Sequence, residues 1–237
     1  MNINRPIASL LVLLASCAVL ASARAEPTVP PPATTVPNAD HFNDRPEYRT
    51  SWEDYQTVMQ GRAVDLIFIG DSITQQWRWG QGKPVWEKHY ATRALNFGQG
   101  GDQTQHVLWR LRHLDVRRYA PRIAVVMIGT NNLNDPPEDI AAGVKVVVAT
   151  TREVFPGIKV VLVSILPSKR AFAKMNAVNA LIRPICDERT VFYLDLAARF
   201  HRQGEAWPDL QKDQLHLTQR GYAMWAEELD RLLARIE

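Results

Sequence analysis

Asp65-Leu66-Ile67-Phe68-Ile69, followed at once by Gly70-Asp71-Ser72-Ile73, is the stretch that decides the fold. Its apolar run is short enough for a strand and too uniformly apolar for a strand with one wet face, so it predicts a strand covered on both sides. The same signature recurs at Ala94 to Phe97, Ile123 to Ile128, Lys159 to Ile165 and Val191 to Leu194. Stretches with helical spacing lie around these runs: Ser51 to Gln60, Val85 to Tyr90, Thr104 to Leu114, Glu138 to Phe155, Phe172 to Glu188 and Gln219 to Ile236. Strand and helix alternate, which predicts an α/β protein: a three-layer α/β/α sandwich with a five-stranded parallel sheet of the flavodoxin-like kind. In such sheets the ligand crevice lies outside the carboxyl ends of the strands, so the loops that follow each strand are where chemistry is expected.

The chain has 237 residues, 46% hydrophobic and 22% charged, the profile of one globular domain with a well-filled core. Ahead of it, Arg5 precedes an apolar run from Ile7 to Leu20 that suits a signal peptide, and Ala23-Arg24-Ala25 supplies a cleavage site. Residues 1–25 are therefore expected to be a leader for a periplasmic or secreted protein. Leu14-Ala15-Ser16-Cys17 offers the alternative of a lipoprotein anchored at Cys17. Residues 26–46, with Pro27, Pro30, Pro31, Pro32 and Pro37, read as an extended Pro-rich linker, and the folded domain is expected over 47–237. Cleavage after Ala25 removes Arg5 and Arg24 and leaves 26 basic against 25 acidic residues, which gives no electrostatic basis for nucleic-acid binding. It also leaves Cys186 as the single cysteine, so an intramolecular disulfide is excluded in the mature chain. No stable membrane span is expected beyond the leader.

Ser72 stands where the first strand turns into a helix, a place where oriented backbone N–H groups favour developing negative charge. On its own the Gly70-Asp71-Ser72 tripeptide is more simply read as a serine or aspartate N-cap opening a helix. Gly98-Gln99-Gly100-Gly101-Asp102 follows the second strand, but Gln103 occupies the place of the third glycine of a dinucleotide fingerprint and there is no Gly-Lys-Ser/Thr phosphate loop. A sharp turn directing a backbone N–H into the crevice is the other reading. After the third strand, Gly129-Thr130-Asn131-Asn132 offers Asn131 as a neutral N–H donor, with Asn132 its competitor. Asp213-Gln214-Leu215-His216, just before the last helix, supplies a carboxylate able to set the tautomer of an imidazole, whose other nitrogen can then take a serine proton. A metal site is not indicated, because two further ligands at fitting spacing are not evident, and His106 and His113 flank a helix that looks structural. No cofactor is expected. Trp77, Trp79 and Trp86 suit either core or a carbohydrate-stacking platform, and Lys169 and Arg170 either a crevice rim or a solvated loop.

Taken together these blocks resemble the GDSL/SGNH hydrolases, which contribute Ser, Gly, Asn and a late Asp-x-x-His in that order. The similarity runs from about Ser51 to the C-terminus. It extends to the catalytic subunits of brain-type platelet-activating-factor acetylhydrolase and their bacterial relatives through Ala94-Leu95-Asn96-Phe97-Gly98, Gly100-Gly101-Asp102, His106-Val107-Leu108-Trp109-Arg110-Leu111, Gly129-Thr130-Asn131-Asn132, and Leu215-His216-Leu217-Thr218 with Gly221-Tyr222. The resemblance implies Ser72 as nucleophile, His216 as general base and Asp213 as its orienting partner. It implies an oxyanion hole from the backbone N–H groups of Ser72 and Gly101 and the side chain of Asn131. Ile73, Thr130 and Leu215 adjoin these residues where the family places the acyl group. Ile73 stands for the leucine of the family name, and the chain looks shorter between Leu166 and Asn176, which bears on substrate and partners. The expected function is a serine ester hydrolase, an O-acetylesterase acting on a small-molecule, carbohydrate or lipid ester. The alternatives are a lysophospholipase or thioesterase, and a non-catalytic carbohydrate- or lipid-binding protein. The resemblance to subunits that form dimers leaves a homodimer open.

Overall fold

The computed structural model describes residues 30–169, 171–200 and 209–237. The expected leader falls outside them, as does Arg170. Five strands, β1 Leu66–Gly70, β2 Ala94–Gly98, β3 Ile123–Met127, β4 Lys159–Val163 and β5 Val191–Leu194, form one sheet in the order β2-β1-β3-β4-β5. Every pairing is parallel, with Leu66 opposite both Ala94 and Ile123. The order reverses between β1 and β3, which puts the topological switch point at their carboxyl ends, directly before Ser72 and Gly129.

Side chains alternate across the sheet. Ile67 and Ile69 enter one apolar layer, Leu66 and Phe68 the other. The first layer is closed by α2 (Pro46–Val58), α5 (Thr104–His113), α6 (Pro137–Val154) and α7 (Phe172–Ile182), the second by α3 (Ser72–Trp79), α4 (Lys83–His89), the short α8 (Ala197–Phe200) and α9 (Gln219–Ile236). The three-layer α/β/α sandwich with a five-stranded parallel sheet is thus the observed fold. Trp77 and Trp86 are core residues of the second layer, ringed by Phe68, Tyr90, Tyr222 and Trp225. Of the proposed stacking platform only Trp79 is open to solvent, at 63%.

Two boundaries differ from expectation for identifiable reasons. The helix begun at Phe172 ends at Ile182 and passes into a 3₁₀ turn over Arg183–Ile185, because Pro184 has no N–H to continue the ladder. The larger difference is at the N-terminus, where the compact unit begins at Pro31 and not near residue 47. The described part of the stretch expected as a tether, residues 30–46, is a strap. A 3₁₀ turn, Ala33–Thr35, buries Thr34 at 1% exposure, where its hydroxyl donates to Asp139 O at 2.6 Å and its carbonyl accepts from Thr104 Oγ1 at 2.8 Å. Asn38 N–H donates to Gln105 O at 3.1 Å, and α1 (Asp40–Asn43) follows, burying Phe42. The prolines here limit the backbone freedom of a segment whose polar groups find partners on α5 and α6.

Candidate active site

Asp71 caps α3, its Oδ1 accepting from Ile73 N–H at 2.9 Å, and so fixes Ser72 as the first helical residue at the end of β1. His216 arrives from the loop before α9. Leu210 bridges to Leu217, Gln211 N–H donates to His216 O at 2.7 Å, and Gln214 takes a left-handed φ of 55°. This tight turn brings Asp213 beneath the His216 ring, where Asp213 Oδ1 accepts from the N–H groups of Leu215 and His216, each at 3.0 Å. The three residues taken from the sequence as a triad come together: His216 Nδ1 lies 2.6 Å from Asp213 Oδ2 and His216 Nε2 lies 2.8 Å from Ser72 Oγ.

A carboxylate only accepts, so the Nδ1 proton points at Asp213 and Nε2 presents its lone pair to the Ser72 hydroxyl. Burial works against the charge on Asp213, but the hydrogen bonds from the His216 side chain and from the His216 and Leu215 amides outweigh it and hold the carboxyl below its usual range. Asp71 is in the opposite position. It is fully buried, and desolvation, aided by the charge of Asp102, pushes its carboxyl up to about 7. Asp71 Oδ2 and Thr130 Oγ1 are both buried with no partner at hydrogen-bonding distance, although the Thr130 hydroxyl is near enough to favour the charged form.

Gly101 has φ +77° and, with Gly100, carries the second loop past the nucleophile; a Cβ built on Gly100 would stand 3.9 Å from Ser72 Cβ. The Asn131 carboxamide points at the same turn, donating from Nδ2 to Asp102 O at 2.9 Å. Asn132 is fully buried and spends its side chain internally, accepting from Thr104 N–H at the start of α5 and donating to Asp135 Oδ2 at 2.9 Å. The glycine turn therefore passes Ser72 and is held by Asn131, while Asn132 is a cap. The three residues expected around the acyl group are closed in: Ile73 is 1% exposed, Thr130 and Leu215 4% each, with Ile73 and Leu215 in the apolar layer under α9. All three are buried and none presents an open wall. Lys169 is exposed and its N–H donates to Gln214 O, so it lies beside the loop of the base.

His41, from α1, went unread in the sequence because it lay within the supposed linker. Its Nδ1 lies 3.0 Å from Asp102 Oδ1. Tyr48, at the start of α2, stands edge-on to its ring at 5.2 Å. His41, Asp102 and His106 are grouped closely enough to suggest a metal centre. The donor set does not fit one. Arg110 holds Asp102 Oδ2 at 2.7 Å, and His106 Nδ1 accepts from Gln103 N–H at 3.1 Å as part of a capping box. A guanidinium already neutralises the carboxylate a cation would need.

A parallel sheet with its switch point at β1 and β3, and a serine, imidazole and carboxylate in hydrogen-bonded series at that point, define the class of acyl hydrolases with a serine nucleophile loop on an open α/β sheet. Residues 68–224 match the model of the GDSL-like lipase/acylhydrolase family. Platelet-activating factor acetylhydrolase IB subunit alpha1 of Pongo abelii is 35% identical over 182 residues, which cover 74% of this chain and 78% of that one. The chain belongs to the GDSL-like lipase/acylhydrolase family and is a carboxylic ester hydrolase. Solved structures of the same fold include a GDSL-like lipase of Bacteroides thetaiotaomicron (TM-score 0.60, 19% identity, 72% of this chain and 87% of that one) and a carbohydrate esterase family 3 protein of Talaromyces cellulolyticus (TM-score 0.55, 20% identity, 73% and 97%).

Proposed function

We propose that the protein is an O-acetylesterase working through Ser72, His216 and Asp213. The observation that carries this is the unbroken series from Ser72 Oγ through His216 Nε2 and Nδ1 to Asp213 Oδ2, at 2.8 and 2.6 Å. His216 Nε2 takes the Ser72 proton as Oγ attacks the ester carbonyl. The carbonyl oxygen becomes an anion facing Ser72 N–H, Gly101 N–H and Asn131 Nδ2. As the C–O bond to the alcohol breaks, His216 returns the proton to the leaving oxygen, and the acyl group remains on Ser72. Water, deprotonated by the same nitrogen, then releases the acid and restores the serine.

The acetyl preference is supported by the burial of Ile73, Thr130 and Leu215, where a longer chain would have to displace packed side chains. Likeness to a platelet-activating-factor acetylhydrolase subunit is in keeping with it. A fluorophosphonate probe tests the chemistry: covalent attachment at Ser72 of folded protein is expected, and a folded protein that stays unlabelled and inactive would be a binder only. A panel of acetylated saccharides, lysophospholipids and p-nitrophenyl esters identifies the alcohol. The leader reading adds that the reaction takes place in the periplasm or medium.

A further inference from the structure

Asp102 is a junction. One carboxylate oxygen is held by Arg110, whose Nε is 2.7 Å away and whose Nη1 and Nη2 each donate to Phe97 O of β2 at 3.0 Å. Its backbone carbonyl takes the Asn131 carboxamide at 2.9 Å. Its other carboxylate oxygen is left for His41, and the pair is nearly closed off, at 13% and 2% side-chain exposure. With a carboxylate as partner, His41 Nδ1 carries the proton and donates. The far edge of the ring then fills the side of Gly101 where a side chain would be: a Cβ there would stand 2.8 Å from His41 Cε1 and 3.0 Å from Nε2.

We propose that His41 is a positioning residue for the hydrolysis: fastened to Asp102, its ring braces the Gly101–Asp102 turn so that Gly101 N–H and the Asn131 side chain face the oxygen that gains charge at Ser72. The inference rests on the ester-hydrolase reading of that site. Oxyanion donors are effective because they need no reorganisation when charge develops. Gly101 is the residue type with the most conformations to lose, and it is held at φ +77°. The imidazole removes the space into which that turn would relax. The strap is thereby part of the reaction centre, although it supplies no reacting atom.

The test uses an aryl acetate and three variants of the full chain. His41→Ala is expected to lower kcat about 10- to 100-fold, the usual range for a residue that orients a reacting group, while KM stays within about threefold. His41→Phe fills the space but cannot bond to Asp102 and is expected to lose kcat as well. His41→Asn places an amide N–H where Nδ1–H stands but leaves the side of Gly101 empty, so it is expected to recover only part of the lost kcat. Undiminished kcat in folded His41→Phe would overturn the proposal, as would a rise in KM at constant kcat, which marks substrate contact instead. Should His41→Ala fail to fold, the Phe and Asn pair decides. An unmutated protein that neither hydrolyses the ester nor takes the fluorophosphonate would refute the hydrolase reading itself, a result distinct from either.

Discussion

The proton between Ser72 Oγ and His216 Nε2 is where single-residue effects should be largest. Ser72→Ala or His216→Ala is expected to lower turnover about 10⁴-fold or more with the fold retained, and near-normal hydrolysis by folded Ser72→Ala would end the assignment. Asp71 lends itself to a different measurement. Its folded pKa, about 7, lies above the ordinary value of 3.8, so between those pH values the folded chain keeps a proton that the unfolded chain has lost. Stability from this group is therefore full below 3.8, falls as pH rises to about 7, and is level above. Asp71→Asn keeps an oxygen for Ile73 N–H and removes the ionisation. Urea unfolding at several pH values should show the variant gaining on the parent through that window, by up to the order of a few kcal/mol, and curves that stay parallel would contradict it. That Ser72, Asp213 and His216 would come together was legible because each sits in a short block at the end of a strand or before the last helix. His41 was not, since its partner is 61 residues away and nothing local to it signals a contact.

Among the elements, the strands were readable to within two residues at each end, because parallel strands buried on both faces are almost uniformly apolar, Asn96 of β2 being a buried exception. The strap shows the converse. Its prolines were read as resistance to helix and sheet, which is correct of the backbone, but composition cannot tell that Thr34 finds partners on α5 and α6. The strap also runs close to Gly143 of α6, where a Cβ would stand 2.8 Å from Thr34 O and 2.6 Å from Thr104 Oγ1. Gly143→Ala should therefore destabilise the protein by about 1 to 3 kcal/mol through overpacking, seen in chemical denaturation, and should make the strap more accessible to proteases than in the parent. An unchanged unfolding midpoint would mean that the strap is not seated there.

For the molecule as a whole, the burial of Ile73, Thr130 and Leu215, the sequence neighbours of Ser72, Asn131 and His216, predicts a falling kcat/KM from acetyl to butyryl to octanoyl esters of one leaving group. Crowding costs on the order of 1 to 3 kcal/mol, against roughly 0.8 kcal/mol gained for each methylene buried. Octanoyl turned over as fast as acetyl would move the reading to a lipase-like hydrolase. Intact mass of the protein from its native host is expected to show a chain beginning at Glu26, and a lipid on Cys17 would show anchoring instead. Among the described residues no helix is long and apolar enough to cross a membrane.

Ser72 and His216, the proposed nucleophile and base, are 144 residues apart, and Tyr222 of the last helix, whose hydroxyl reaches Ile73 O at 2.6 Å, closes the structure over the first strand's turn. During synthesis Ser72 emerges early and His216 close to the end. A polypeptide still being made holds Ser72 without the imidazole that is proposed to activate it. Under the proposed triad, esterase activity is expected to stay silent until the last helix has docked, which would make the appearance of activity a clock for the final step of folding.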